Sequence, residues 1–192
     1  MRAPSAILAL TLAASITTPM RSADDLGVPS RDGLVVCVSA PSCDAGASVL
    51  AQGGNAVDAA VATAFALAVT HPDAGNLGGG GFMIVRTPSG EVTTYDYRET
   101  APLKSTRTMY LGADGTIDRR LTAAGYLAPG VPGTVRGLEL AHKRFGKLPW
   151  KQVVAPAVAL AEGGFPLSPS LAGSLNRELQ GSMARFPASV AA

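Results

Sequence analysis

The sequence predicts an α+β fold, because the chain contains both strand-like runs and helical segments. Apolar β-rich runs fill residues 34–38 and 82–85, and residues 91–97 alternate as the partner of the second run. Residues 56–69 and the second half of the chain carry helical patterns. The chain has 192 residues, of which 47% are hydrophobic, so it can bury a core of about one domain.

The first two predicted elements are a strand and a helix. Residues 34–38 form the β-rich run, and Pro41 begins a turn into a segment with apolar residues at helical spacing. The Gly53-Gly54 pair ends that helix.

A second, buried helix is predicted at residues 56–69. Asn55 precedes it as a favourable N-cap, and the segment is apolar around nearly its whole circumference. It is too short to span a membrane, and Asp58 in its first turn interacts favourably with the positive end of the helix dipole.

A glycine run at residues 78–81 precedes the predicted hairpin of residues 82–85 and 91–97. Glycines permit positive φ and the close approach of another backbone. The run lacks the Gly-Lys-Ser/Thr ending of a phosphate-binding loop, and a strand rather than a helix follows it, so nucleotide binding is disfavoured. Arg98 comes directly after the hairpin and should lie at its end.

The second half of the chain begins with a loop-rich stretch at residues 102–130. Three helix candidates follow, at residues 133–145, 149–162 and 168–179. Pro156 should bend the middle one. Residues 181–192 show no clear pattern, and no element is predicted there.

The N-terminus has the features of an export signal over residues 1–23. Arg2 precedes an apolar stretch at residues 6–14, and the cleavage site is expected either after Ala23 or at Ala13-Ala14-Ser15. The prediction is a periplasmic or extracellular protein without a membrane span after signal removal. A buried N-terminal helix is the alternative.

Charge and cysteine content limit the possible partners. Without residues 1–23 the chain has 14 basic and 14 acidic residues, which argues against nucleic acid or an anionic membrane as the main partner. Cys37 and Cys43 could form a bridge in an oxidising compartment, or Cys37 could simply lie in the core. Together with the distant His71 and His142 they make no recognisable metal-ligand set, and no cofactor is predicted.

Arg98 is the candidate binding residue. Its planar guanidinium stays charged and presents paired donors that match the two oxygens of a carboxylate. Asp96 and Glu99 are close enough in sequence to form an ordinary surface ion pair with it, so the residues alone leave both interpretations open.

Five segments resemble the large subunit of the γ-glutamyltransferases, also called γ-glutamyltranspeptidases or glutathione hydrolases, and the resemblance runs over residues 33–175. The segments are Gly53-Gly54-Asn55-Ala56-Val57-Asp58-Ala59-Ala60, Gly78-Gly79-Gly80-Gly81-Phe82-Met83, Arg98-Glu99-Thr100-Ala101-Pro102, Gly130-Val131-Pro132-Gly133-Thr134 and Ala161-Glu162-Gly163-Gly164-Phe165-Pro166. They occur in the order expected of that family, and it is this order that makes the resemblance specific.

The resemblance implies an N-terminal-nucleophile hydrolase fold, an αββα sandwich in which two sheets lie between helical layers. It implies a partial large-subunit domain at residues 33–180, and the patternless residues 181–192 are expected to be an unstructured end. In this family a precursor cuts itself, and the new N-terminal threonine of the small subunit attacks the γ-glutamyl amide of glutathione. The glutamyl group then passes to water or to an amino acid.

The resemblance assigns Arg98 to hold the α-carboxylate of the substrate. Glu99 is expected to orient Arg98, to approach the substrate amine, or only to support the strand end. No catalytic residue is expected in this chain, because Thr116 and Thr134 occupy structural positions and the nucleophile belongs to the small-subunit portion. The chain alone is therefore expected to be inactive, with glutathione, other γ-glutamyl compounds and the small-subunit portion as partners.

Two other functions remain open at this point. Some cephalosporin acylases share the same framework, so the chain could be part of a β-lactam acylase. It could also be a noncatalytic chain that binds γ-glutamyl compounds or a partner subunit.

Overall fold

The computed structural model describes residues 30–191, so the predicted export signal lies outside the described residues. One compact unit begins at Asp32. The predicted domain limits of 33 and 180 stay predictions. The helices and strands of the described part are α1 (Ala40–Ala51), α2 (Ala56–Thr70), β1 (Phe82–Arg86), β2 (Val92–Asp96), α3 (Arg119–Ala123), α4 (Thr134–Phe145), α5 (Trp150–Gly163), α6 (Pro169–Gln180), a 3-10 helix (Ser182–Arg185) and α7 (Pro187–Ala191).

Helix α2 lies at the centre of the core, as its apolar circumference predicted. It packs against α1, α4 and α5. Val61, Ala62 and Ala66 are fully buried on it, and Leu138 of α4 and Val153 of α5 are buried in the same core. No helix among residues 30–191 is long and apolar enough to cross a membrane.

The N-terminus of α2 is closed by a capping box. The side-chain oxygen of Asn55 accepts hydrogen bonds from the backbone N–H groups of Val57 (2.9 Å) and Asp58 (3.1 Å). The Asp58 carboxylate accepts one from the backbone N–H of Asn55 at 2.9 Å. The predicted N-cap is confirmed, and the reciprocal bonds satisfy donors that a helix end leaves unpaired.

Asp58 also connects α2 to the loop between α4 and α5. Its buried carboxylate accepts hydrogen bonds from the backbone N–H groups of Lys147 (3.1 Å) and Leu148 (3.4 Å). His142 places Nε2 3.3 Å from the same carboxylate and 2.9 Å from the carbonyl oxygen of Leu148. Both of these neighbours are acceptors, so Nε2 carries the hydrogen.

The predicted hairpin is confirmed. β1 and β2 pair antiparallel, with Phe82 opposite Asp96 and Arg86 opposite Val92. One face of the hairpin packs on the helical core through Met83, Val85 and Tyr95. The other face leaves its apolar side chains exposed: Phe82 by 64%, Ile84 by 72% and Val92 by 57%.

The strand predicted at residues 34–38 is wrong for the described chain. These residues alternate between exposed and half-buried side chains, as a strand would, but they pair with no strand among residues 30–191. A strand needs a neighbour for its backbone N–H and C=O groups, and local sequence does not specify that neighbour.

Cys37 and Cys43 form a disulfide, with their Cα atoms 5.7 Å apart. The sequence had left this bridge open beside a simple core position for Cys37. The bond ties the segment before α1 to the first turns of that helix.

The three helices predicted in the second half are confirmed as α4, α5 and α6, and each differs from its predicted limits by only a residue or so. Two further differences are small. The loop-rich stretch contains the short helix α3, whose N-cap is Asp118. The end of the described chain was expected to be unstructured, yet it forms the 3-10 helix and α7. Pro187 is the first residue of α7. The missing backbone N–H of proline costs no helical hydrogen bond at this position.

Replacing Asp58 with alanine should lower the free energy of unfolding by about 3–5 kcal/mol, because the backbone donors around this buried carboxylate and His142 lose their acceptor. Urea unfolding can be followed by the fluorescence of Trp150, the single tryptophan, whose ring lies 5.2 Å from that of His142. Asp44→Ala, the same change at an exposed position of α1, is the control and should stay within about 0.5 kcal/mol. Equal effects of the two variants would contradict the role of Asp58.

Reduction of the Cys37–Cys43 bridge should lower the free energy of unfolding by about 2 kcal/mol, because a short loop is no longer closed in the unfolded chain. Unfolding with and without reductant measures the effect, and a Cys37→Ser/Cys43→Ser variant should show no response to reductant. Alkylation of both thiols in the unfolded protein without reductant would show that the bridge is absent.

Candidate functional site

The predicted binding residue lies at a cleft where the end of β2 meets the start of α4. The cleft has a volume of about 270 Å³. Residues 95–98 and Thr100 line one side, and residues 131–133 with the first turns of α4 line the other. The sequence placed Arg98 at the end of the hairpin, and this position is confirmed.

Backbone hydrogen bonds fix the strand end on both sides of Arg98. The N–H of Tyr97 donates to the carbonyl oxygen of Gly81 at 3.0 Å, which continues the hairpin beyond β2. Thr100 and Val131 form an isolated bridge, with N···O distances of 2.8 and 3.4 Å. Arg98 therefore sits in a short segment that is held at both of its ends.

The glycine run joins this segment to α4. The carbonyl oxygen of Gly79 accepts hydrogen bonds from the N–H groups of Gly133 (2.8 Å) and Thr134 (3.1 Å) at the start of the helix. The side-chain oxygen of Asn76 accepts from the N–H of Gly79 at 3.0 Å and from the hydroxyl of Thr134. The run thus shapes the backbone of the cleft.

The two threonines considered as possible nucleophiles are both engaged in local structure. Thr134 donates its hydroxyl to Asn76 at the start of α4. Thr116 donates its hydroxyl to the carboxylate of Asp114, at 2.8 and 2.9 Å from the two oxygens. These bonds agree with the structural roles that the sequence predicted.

Tyr97 packs into a space left by glycines. A Cβ atom on Gly137 of α4 would overlap the Tyr97 ring, one on Gly133 would overlap the Tyr97 carbonyl group, and one on Gly81 would lie 2.8 Å from the ring. Burial raises the pKa of Tyr97 above its usual range. The sequence-based predictions did not include this contact, although Gly133 and Gly137, one helical turn apart, were a signal for it.

Arg98 is exposed, and its guanidinium makes no ion pair with any residue of the described range 30–191. Its backbone N–H donates to the carboxylate of Asp96 at 3.0 Å. The surface ion pair with Asp96 or Glu99, which the sequence had left open, is therefore not formed.

A second Asp-x-Arg sequence in the same chain shows what such a pair looks like. The backbone N–H of Arg120 donates to the Asp118 carboxylate at 2.9 Å, as Arg98 does to Asp96. The Arg120 guanidinium also binds that carboxylate, with N···O distances of 3.0 and 2.7 Å. These bonds hold the pKa of Asp118 below its usual range. Arg98 has the same spacing from Asp96, but its guanidinium does not bind that carboxylate.

Arg136 also lines the cleft, but it is already paired. Its guanidinium binds Glu139 one turn along α4, and Lys143 binds the same carboxylate. Lys143 first and then Arg136 hold the pKa of Glu139 below its usual range. Of the two arginines that line the cleft, Arg98 is the one whose guanidinium has no carboxylate partner within residues 30–191.

Glu99 lies against two glycines. A Cβ atom on Gly80 would be 2.7 Å from both the backbone nitrogen and the Oε2 atom of Glu99, and one on Gly130 would be 3.0 Å from its Cβ. Glu99 makes no ion pair with Arg98 in the described chain. This packing agrees with the predicted role of Glu99 in supporting the strand end. Within residues 30–191, Glu99 does not orient Arg98 through an ion pair.

Comparison with known proteins gives the family. The family model for gamma-glutamyltranspeptidase matches residues 42–191. A glutathione hydrolase proenzyme of Escherichia coli K12 is 49% identical over 148 residues, which are 77% of this chain and 26% of that protein. The crystal structure of Helicobacter pylori gamma-glutamyltranspeptidase superposes with a TM-score of 0.77 at 44% identity, over 80% of this chain and 44% of that one.

The chain belongs to the γ-glutamyltranspeptidase family. Its fold is of the N-terminal-nucleophile hydrolase type, as predicted, and the chain spans about a quarter of its Escherichia coli relative. A cephalosporin acylase of Bacillus halodurans has a TM-score of 0.60 at 26% identity, covering 91% of this chain and 32% of that one. The exposed apolar face of the hairpin fits a sheet layer that is only partly contained in these residues.

Gly137→Ala should lower the free energy of unfolding by about 1–3 kcal/mol, because the added methyl group overlaps the Tyr97 ring and forces it to move. Gly173→Ala in α6 is a matched control, since its Cβ atom would meet only the end of the Arg177 side chain, at 3.5 Å. That change should be neutral or stabilising by up to about 1 kcal/mol. Urea unfolding compares the two variants, and the same sign for both would contradict the packing described for Tyr97.

Proposed function

We propose that this chain is the N-terminal part of a γ-glutamyltransferase that cleaves the γ-glutamyl amide of glutathione and transfers the glutamyl group to water or an amino acid. In this proposal Arg98 holds the α-carboxylate of the substrate. The observation that carries it concerns Arg98, a residue of the cleft lining whose guanidinium has no carboxylate partner within residues 30–191, whereas Arg120 in the same local sequence is paired. Relatives named glutathione hydrolases support the choice of substrate.

The chemistry of Arg98 suits this role. A guanidinium stays protonated throughout the physiological range, and its planar fork binds both oxygens of a carboxylate. Such a charged contact contributes roughly 1.5–3 kcal/mol where water is excluded. Arg98 does not first have to break an ion pair within the described chain, so this energy is available to the ligand.

Glu99 is proposed to assist at the amino end of the substrate. A free α-amine is protonated near neutral pH, and a carboxylate next to Arg98 could accept a hydrogen bond from it. In the described chain this carboxylate lies beside Gly80 and has no ion-pair partner. The arrangement supports a zwitterionic ligand, with its carboxylate on Arg98 and its amine towards Glu99.

The bond-breaking step is proposed to come from outside these residues. On the family pattern, the N-terminal threonine of the small subunit attacks the amide carbon, its amine takes the hydroxyl proton, and the leaving amine departs from a tetrahedral intermediate. A γ-glutamyl ester remains on the threonine until water or an amino acid displaces it. The name proenzyme, given to the Escherichia coli relative, supports such processing.

An exported location is part of the proposal. The export signal predicted at residues 1–23 would deliver the protein to an oxidising compartment, where disulfides persist. The Cys37–Cys43 disulfide supports this location.

The acylase alternative has weaker support. The Bacillus halodurans cephalosporin acylase resembles this chain at 26% identity, against 44% for the Helicobacter pylori γ-glutamyltranspeptidase. Activity on a β-lactam side-chain amide in the absence of γ-glutamyl transfer would favour the acylase.

Arg98→Lys in the full-length, processed protein should lower kcat/KM for γ-glutamyl-p-nitroanilide by about 10- to 100-fold, mainly through KM, because lysine keeps the charge but loses the fork. Arg120→Lys, the same change at the other Asp-x-Arg sequence, is the control and should change kcat/KM less than about twofold. Unchanged KM in Arg98→Lys, in a protein that processes normally, would remove Arg98 from the site.

A further inference from the structure

The carboxylate of Asp96, two residues before Arg98, binds the backbone of Arg98 and not its guanidinium. Its Oδ1 atom accepts the N–H of Arg98 at 3.0 Å. Asp96 is the last residue of β2, and Tyr97 after it still pairs with Gly81 across the hairpin. The bond therefore forms a turn at the point where the chain leaves the strand.

This turn determines where the Arg98 side chain begins. Tyr97 is fixed by its ring packing and by its bond to Gly81, and Thr100 is fixed by its bridge to Val131. Between them, the backbone N–H of Arg98 donates its hydrogen bond to Asp96. Without this hydrogen bond, Tyr97 and Thr100 would stay fixed, but the backbone of Arg98 between them would lose its restraint.

We infer that Asp96 is a positioning residue for Arg98. Its carboxylate oxygen holds the turn that presents the Arg98 guanidinium to the cleft, and its negative charge is not required for this. The inference rests on the proposed function, in which Arg98 receives the substrate carboxylate. Asp96 itself does not touch the substrate.

The two possible roles of Asp96 predict different effects of asparagine. If Asp96 acts through the turn, asparagine keeps the side-chain oxygen that accepts the N–H of Arg98 and should serve as well. If Asp96 acts as the counter-ion of Arg98, asparagine removes that charge and should behave like alanine. A carboxylate at this position also repels the incoming substrate carboxylate, so its neutral replacement should not weaken binding.

The Asp118 site provides the matched control. Asp118 makes the same bond to the backbone of Arg120 but also holds the Arg120 guanidinium. Asp118→Ala therefore removes an equal turn, plus an ion pair, at a place where no ligand is proposed. Asp96 is exposed and Asp118 is half-buried, so neither change removes a fully buried group.

The experiment measures steady-state kinetics of the full-length, processed protein with γ-glutamyl-p-nitroanilide. Asp96→Ala should raise KM by about tenfold and leave kcat within about twofold, because ground-state capture depends on the orientation of Arg98. Asp96→Asn should restore KM to within about twofold of the natural protein, and Asp96→Ser, a weaker acceptor, should fall between them. Asp118→Ala should leave KM within about twofold of the natural value.

Several outcomes would overturn the inference. An unchanged KM in Asp96→Ala, or an asparagine variant as impaired as the alanine variant, would show that the turn does not position Arg98. If Asp96→Ala fails to fold or process, the comparison of Asp96→Asn with Asp96→Ser decides, and equal KM values for these two would overturn it.

Arg98→Lys measured alongside separates this inference from the proposed function. A raised KM in Arg98→Lys together with a natural KM in Asp96→Ala would overturn the positioning role alone. A natural KM in Arg98→Lys would overturn the carboxylate-binding role on which both depend.

Discussion

The buried carboxylate of Asp58 is the interaction on which the described fold depends most. It closes the first turn of α2 by accepting the N–H of Asn55, and it accepts N–H groups of Lys147 and Leu148, about ninety residues further along the chain. A charge removed from water is tolerated only when its lone pairs are occupied, and here backbone donors and His142 occupy them. The central helix and the connection from α4 to α5 are therefore fixed to each other at one polar point inside an apolar core.

The hairpin that carries the candidate site packs against the same core. The inner face of the hairpin packs on the helical core, and β2 contacts α4, which fixes the direction of β2 and the place where the strand ends. Two local contacts complete the site. The Gly79 carbonyl accepts hydrogen bonds from the start of α4, and the Tyr97 ring fills the space beside Gly137. Arg98 is thus an exposed side chain on a restrained backbone, which limits the conformational entropy that a ligand must overcome on binding.

Helix limits and the hairpin could be predicted from the sequence because their signals are local: Asn55 as a cap, glycines after helices, and alternation on either side of a short turn. The strand at residues 34–38 could not be judged in this way, because a strand exists only through its neighbour. The position of Arg98 at the hairpin end followed from the sequence. Whether its guanidinium would bind Asp96 did not follow, since Asp118 and Arg120 share the same spacing and adopt the other arrangement.

The contact between Gly133 and Tyr97 has a consequence for anyone who redesigns this protein. Since the first turn of α4 rests against the carbonyl group next to Arg98, a shift of that helix moves the arginine's own peptide unit. Substitutions made in α4 for solubility or thermal tolerance would then also displace the residue proposed to bind the substrate carboxylate. Libraries that randomise this helix should be screened for substrate binding as well.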